Sequence, residues 1–538
     1  MSNPLLRSGY RLETKQLLFG GFCLVLLCIA YISHLGFLPL NYENDESRRA
    51  LVSAEMIFSK NYITPTLNGE IYLNKPPLYN WIIILYFKLL GSFSTFALRL
   101  PVIVATIGMG LSIYYYTKKY LHHTIAFFTA FAFMTNGRIL IFDSFIGLID
   151  TSFAWLVYLN FILIYHYGEK KKYYQLFMIT YLIVAAGFLM KGLPAIVFQG
   201  ITLLTYFIWK KKFRILFHPS HFAGLAILLL VIGTYYWQYF SMNDIAPWVV
   251  FSKLMSESSK RTVTHYGIGK TIIHFFVFPF TFLYHFAPWT MFVIVFFHKQ
   301  WWQQLIKNDF VSYSLLTAGT NLLVYWLSPE VYARYLFMFL PLMYSAWIYL
   351  FFTLFNRHSW QHKTIDIISV SACTLLLVTF LLLPFLQVKI TTGHYVVKCV
   401  FLALVFGMLL FMLLREKTNR LYFLLLAVIF FRIGFNWFIL EPRKENLAQS
   451  EKDAQLIAAI TSGSKLYILR GAKVGNFDAK SFQIEIKRKE ILRYADTIQA
   501  GNFYIIDSSQ AAGKKIVPYL SFQNDVSYHG MLVKFETR

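Results

Sequence analysis

"QLLFGGFCLVLLCIAYISHLGFLPLNYENDESRRAL", residues 16–51, decides the fold. Gln16 to Leu40 reads as an apolar run long enough to cross a bilayer, which takes about 20 such residues. The character then changes abruptly, to three carboxylates (Glu43, Asp45, Glu46) and two arginines (Arg48, Arg49). Charge placed where a chain leaves the bilayer is costly, and it marks a site that uses it.

The rest of the chain has the same character. Of 538 residues, 57% are hydrophobic, 19% aromatic and only 14% charged, a balance far from that of a soluble globule. Mean hydropathy is +0.52. This composition predicts a mostly α-helical, polytopic membrane protein. The formal charge of +24 comes from short basic clusters between apolar runs, the pattern of cytoplasmic loops and not of a nucleic-acid-binding face. Cys23, Cys28, Cys373 and Cys399 all lie in apolar runs, which suggests core packing and no disulfide frame. The first run is too long for a secretory signal and lacks a small-residue cleavage site, so it is expected to stay as an uncleaved span.

Apolar stretches predict about thirteen spans, near 17–40, 97–117, 124–142, 148–166, 174–190, 193–209, 222–240, 272–297, 311–328, 335–354, 365–386, 395–414 and 420–440. Alternate loops are basic: "TKKYLHH" (117–123), "YGEKKKYY" (167–174), "WKKKFR" (209–214), 298–309, "NRHSWQHK" (356–363) and "REKTNR" (415–420). With the basic N-terminus they mark the cytoplasmic side. Residues 41–95, 138–147, 191–194, 241–271, 328–334 and everything after Leu440 then face outward.

In the first outer segment, Ala50, Leu51, Ala54, Ile57 and Phe58 recur at helical spacing, predicting a helix over 45–60 that lies along the membrane surface. Asn68-Gly69 signals a turn, and Pro76-Pro77 opens a second interfacial helix over 77–90. Residues 441–538 are expected to form a small extracytoplasmic α/β domain beyond a membrane domain of 1–440. Strands are predicted at 465–470, 503–507 and 531–537, and helices at 444–461 and 487–499.

"DESRRALVSAEMIFSKNYITPTLNGEIYLNKPPLYNW" (45–81) and "FALRLPVIVA" (96–105) are followed in order by "GRILIFD" (137–143), "LMKGLPAIVF" (189–198), "ESSKRT" (257–262), "FAPW" (286–289) and "VYARYLFMFLPL" (331–342). Together these resemble the polyprenyl-phosphate-sugar glycosyltransferases typified by bacterial 4-amino-4-deoxy-L-arabinose transferase, with the protein mannosyltransferases as more distant relatives. The resemblance covers about 300 residues of the membrane part and implies the integral-membrane GT-C fold. It also implies transfer, with inversion, of a sugar from a polyprenyl-phosphate (undecaprenyl-phosphate) donor to an acceptor on the outer face of a bacterial inner membrane. The acceptor would be lipid A, another glycolipid, a glycan or a protein.

That chemistry asks for a carboxylate to take or orient the acceptor proton, and for cations to hold the charge gained by the leaving phosphate. Asp45 suits the first role, with Glu46 beside it. Arg48, Lys75 and Arg261 suit the second, with Arg49 and Lys191 as further cations. The family's next aspartate matches either Asp143 or Asp150. Tyr332, Arg334 and Tyr335 are placed to touch sugar or phosphate, and Arg99 begins a span. Many relatives carry Glu before the Lys-Pro-Pro and His in the segment matching "ESSKR"; this chain has Asn74 and Ser258, so no metal or other cofactor is expected. A transporter or flippase of lipid-linked sugar, and a non-catalytic partner in polysaccharide export, are the alternatives. Against a transporter stand the lack of a visible internal repeat and the gathering of ionisable residues on one side instead of at the midplane.

Overall fold

The computed structural model describes residues 10–40, 44–260, 266–356, 358–386, 392–416, 418–474, 477–511, 516–525 and 528–535. Helices dominate it, and one stands at each of the thirteen predicted positions. Among the described residues, eight are long and apolar enough to cross a membrane, so the chain is a multi-pass membrane protein.

The expected count of thirteen is not confirmed, because helices at five of the positions miss that length or hydropathy, and some boundaries differ from expectation. Pro194–Trp209 and Leu340–Leu354 are apolar but short. The stretch expected at 272–297 divides into a helix over Ile268–His285 and a tight 3-10 segment over Trp289–Phe297, parted at Pro288. The first helix, α1 (Tyr10–Ile32), ends eight residues before the predicted Leu40, in a turn that contains Gly36 and Pro39. Burial orders the bundle: 83% of the His123–Ile141 window is buried against 17% of Trp360–Phe385, placing the former at the centre and the latter at the rim.

Both predicted helices of the first outer segment form, as α2 (Asn44–Phe58) and α3 (Leu78–Leu89). Asp45 and Glu46 lie in the first turn of α2, where carboxylates suit the positive end of the helix dipole. Asn68 and Gly69, both at positive φ, turn a small hairpin of β1 (Thr66–Leu67) and β2 (Glu70–Ile71). The structure departs from expectation over the surroundings of α2. Instead of lying half-exposed on a surface it is buried almost all round from Glu46 to Met56, because a helix of the C-terminal segment, Asp478–Arg488, covers it.

That C-terminal segment carries a five-stranded sheet in the order β4-β3-β5-β7-β6, formed by Arg493–Ala495, Leu466–Leu469, Phe503–Asp507, Tyr528–Phe535 and Ile516–Asp525. The strand Ile516–Asp525 was not predicted. It contains Pro518, which cannot donate to a ladder, and it is tolerated because this strand is the sheet edge and is bulged after Pro518. The helix expected at 487–499 forms instead over Asp478–Arg488. It stops where Lys489 turns left-handed, and part of the predicted range becomes β4. Phe482 of this helix stacks on Phe87 of α3 at 6.2 Å and belongs, with Ala479, to the main core of the membrane part.

Where α2 meets the hairpin and this helix, two carboxylates are buried. Glu55 accepts from Thr66 Oγ1 at 2.6 Å and from the backbone N–H of Asn68 (2.5 Å) and Gly69 (3.1 Å). Burial outweighs those bonds and pushes its carboxyl up to about 7. Glu485 accepts from Leu492 N at 2.8 Å; burial, and then the charge of Glu55, hold it well above the usual carboxylate range. A carboxyl whose folded value is raised binds its proton more tightly when folded, so its stabilisation is complete at low pH and is lost as pH climbs through the folded value. The thermal midpoint of the detergent-solubilised protein is therefore expected to fall between pH 5.5 and 8. Glu485→Gln, which keeps the bond to Leu492, should flatten that fall; an unchanged slope in the variant would refute the assignment.

Candidate active site

Asp45 lies in the first turn of α2 with its side chain half-exposed. Its Oδ1 is 3.4 Å from Arg48 Nη1, one helical turn on, and its Oδ2 is 3.8 Å from Arg334 Nη2. Arg334, on the short 3-10 turn Ala333–Leu336, is nearly buried and also reaches Asp150 Oδ2 at 3.1 Å. Asp150 opens the helix Asp150–Glu169 and receives the ammonium of Lys191 on its other oxygen. Lys191 ends the helix Tyr173–Lys191 at Gly192, whose φ of +86° needs a residue without a side chain. Four segments far apart in sequence thus meet in one chain of charges: Arg48, Asp45, Arg334, Asp150, Lys191. Aromatic rings line it, with Lys191 Nζ 3.9 Å from the Tyr335 ring centre and Arg334 4.3 Å from that of Tyr332, which is exposed.

Lys75 sits in the extended link between β2 and α3, just before Pro76. Among the described residues its ammonium makes no hydrogen bond or ion pair. Loss of water, and then the cations Lys191 and Arg49, push it down to about 8, while Glu257 and Asp150 pull weakly the other way. Lys75 is thus a cation held beside other cations, an arrangement that repels a bare protein and attracts an anion.

The other candidates are placed elsewhere or given other work. Glu46, expected beside Asp45 as a catalytic group, is wholly buried. It takes a two-pronged grip from Arg99 at 2.6 and 2.9 Å and accepts from Gly147 N at 2.6 Å. Successive residues of a helix point about 100° apart, so Glu46 faces the core where Asp45 faces outward. Removing one partner of such a pair typically costs about 3–5 kcal/mol; it frames the site and is out of a substrate's reach. Arg49 is turned inward too, to Tyr72 OH at 2.9 Å and Asn80 Oδ1 at 3.5 Å. Asp143 pairs with Arg138 at 2.6 Å; its other oxygen is buried and finds no partner among the described residues, and burial pushes the group up to about 6. Of the two aspartates left open by the sequence, Asp150 is the one joined to Asp45 through Arg334. Arg138 also stands in the wall of an apolar groove of about 390 Å³, with Leu140, Phe142, Leu376 and Phe431. Arg261 lies outside the described residues.

One participant escaped the sequence reading. Asp478, the first residue of the C-terminal helix, places Oδ2 3.2 Å from Arg48 Nε. No periodicity could have shown it, since 430 residues separate the partners.

The chain is similar to known proteins in sequence and in fold. The family model described as dolichyl-phosphate-mannose-protein mannosyltransferase matches residues 74–237. An uncharacterized protein of Aquifex aeolicus is 25% identical over 275 residues, 49% of this chain and 53% of that protein. An undecaprenyl phosphate-alpha-4-amino-4-deoxy-L-arabinose arabinosyl transferase of Pseudomonas savastanoi pv. phaseolicola is 27% identical over 241 residues, 42% of this chain and 44% of that one. The chain spans about half the length of the curated relatives it matches. Among solved structures, ArnT from Cupriavidus metallidurans bound to undecaprenyl phosphate superposes with a TM-score of 0.68 over 95% of this chain and 97% of that chain, at 16% identity. The two share a fold.

Proposed function

We propose that this chain, which shares its fold with ArnT and ordered sequence matches with the polyprenyl-phosphate-sugar glycosyltransferases, moves a sugar from a polyprenyl-phosphate donor to an acceptor on the outer face of the membrane. One observation carries the reading. Asp45, a half-exposed carboxylate, stands between Arg48 and Arg334, and Lys75, with no partner among the described residues, lies in the same charged neighbourhood.

In this reading the acceptor hydroxyl loses its proton to Asp45 as its oxygen attacks the anomeric carbon. The bond from that carbon to the phosphate oxygen breaks, and its electron pair leaves with polyprenyl phosphate. Lys75 and Arg48 hold the charge that the phosphate gains, Lys as a point charge and Arg through its planar fork. Arg261 is proposed as a third cation. Lys191 and Arg334 act through Asp150, which fixes where Arg334 meets Asp45, while Tyr332 and Tyr335 present ring faces to the sugar. Phosphate is a good leaving group, so no strong acid is needed. The apolar groove beside Arg138 suits an isoprenoid or acyl chain. The active face is the outer one of a bacterial inner membrane, set by the basic loops.

The residues present do not fit a divalent cation. Asn74 and Ser258 stand where relatives offer ligands; the Ser258 hydroxyl donates to Leu254 O at 2.9 Å, and Glu257 is occupied by Lys253 and Lys260. The purified protein, incubated with a polyprenyl-phosphate sugar and a lipid or glycan acceptor, is expected to release polyprenyl phosphate at the same rate with and without EDTA. A rate abolished by EDTA and restored by one metal would overturn the metal-free reading. Donor crossing a vesicle bilayer unhydrolysed would replace the transferase by a flippase, and no reaction with any donor would leave a non-catalytic partner.

A further inference from the structure

We infer that Asp478 is a positioning residue of the transfer site, by which the C-terminal segment orients the Arg48 guanidinium against Asp45. This rests on the reading above and extends it, because it makes the C-terminal segment part of the machinery.

The delivery is rigid. Asp478 begins a helix whose Ala479 and Phe482 are embedded in the core of the membrane part, with Phe482 stacked on Phe87 at 6.2 Å and an interplanar angle of 27°. The side chain so placed is only 12% exposed. Burial pushes its carboxyl above the usual carboxylate range, and Arg48, by its charge and hydrogen bond, is what favours the ionised form against that burial. A nearly buried carboxylate with one cationic partner is held in one geometry.

The geometry divides one guanidinium between two masters. Arg48 gives Nε to Asp478 at 3.2 Å and Nη1 to Asp45 at 3.4 Å. Among the described residues its Nη2 bonds to nothing, so of the five N–H donors the two on Nη2 are kept for an incoming anion. The longer contact to Asp45 leaves that carboxylate half-exposed to an acceptor. Without the charge of Asp478, the attraction of Arg48 for Asp45 goes unopposed. The guanidinium then closes on the carboxylate and competes with the acceptor proton, while the donor phosphate still finds Lys75.

The test compares Asp478→Asn with the full-length parent in detergent or vesicles. The variant is expected to lower kcat about tenfold with the donor KM within threefold of the parent, and Asp478→Glu to restore kcat to within threefold. Arg470→Ala, which cuts another contact of the same segment with the first outer segment, the 2.6 Å pair with Glu70, should leave kcat unchanged. Modification of Arg48 by phenylglyoxal, read by peptide mass spectrometry, should change at least threefold in Asp478→Asn and not in Arg470→Ala. Equal losses of kcat in the two variants that follow their thermal midpoints would reduce Asp478 to a docking contact and overturn the inference. So would an Asp478→Asn protein with parental kcat and parental Arg48 reactivity. A parent that releases polyprenyl phosphate from no donor overturns the transferase reading instead, and that result is visible before any variant is made.

Discussion

Asp45→Asn is expected to lower turnover by about 10²–10⁴-fold, the usual contribution of a positioned general base, while donor affinity stays within about threefold of the parent. The substitution preserves size and one accepting oxygen and removes only the capacity to take a proton. The rival reading is that Asp45 serves the start of α2, as a first-turn carboxylate favoured by the helix dipole. That role is worth about 0.3–1 kcal/mol and would show as a small loss of stability with normal turnover. The two readings differ in which quantity moves, so one folded preparation decides between them. Turnover within threefold of the parent would end the catalytic assignment. The contact with Arg334 adds a second expectation from the same variant. Among the described residues, neutralising Asp45 leaves Arg334 paired with Asp150, which is already shared with Lys191, so the site gains net positive charge and donor phosphate should bind no more weakly.

Much of this site was legible because of what surrounds it. In a chain with 14% charged residues, Asp45, Arg48 and Lys75 stand out against apolar sequence, and the Asn-Gly and Pro-Pro steps place them on a helix start and an extended link. What sequence could not show is direction and distance. Asp45 and Glu46 are neighbours with the same functional group, and nothing local distinguishes them. Only the arrival of Arg99, from a helix 53 residues away, turns Glu46 into framework and leaves Asp45 to the outside. Asp143 and Asp150 are likewise told apart only by their pairing, since Asp143 is held locally by Arg138 while Asp150 meets Lys191 and Arg334 from distant segments. The count of thirteen spans is not confirmed for a related reason. Apolar runs report a preference for leaving water, which a helix buried among other helices satisfies as well as one facing lipid, and Leu340–Leu354 is buried along most of its length. The strand Ile516–Asp525 was missed because it is an edge strand that admits proline, and the strand signal relies on rules that hold for central strands.

Lys75→Ala is expected to weaken donor binding by at least tenfold, since a charge-assisted contact to phosphate contributes roughly 1.5–3 kcal/mol. The stability effect should run the other way. Lys75 is pushed down to about 8 from an ordinary lysine value near 10.5, so below pH 8 the folded protein carries a cation that costs free energy to keep among Lys191 and Arg49. A lysine with a lowered folded value binds its proton less tightly when folded, so its penalty is full below about pH 8 and fades as pH rises towards the unfolded value. Alanine removes that penalty, and the thermal midpoint of the donor-free variant at pH 7 is expected to equal or exceed the parent's. A lysine placed for structure would behave in the opposite sense, its loss destabilising the protein and leaving affinity alone. The same charge predicts the pH dependence of binding. A polyprenyl-phosphate sugar is a phosphodiester with no proton to lose near neutrality, so the titrating partner is the protein. Parent affinity should be flat from pH 6 to about 7.5 and fall above pH 8 as the free ammonium loses its proton, towards tenfold per pH unit. In Lys75→Ala that fall should be absent, because the group responsible is gone. Calorimetric titration of donor into both proteins at pH 6.5, 8 and 9 measures all of this, and an equal fall in the two would show that some other group holds the phosphate.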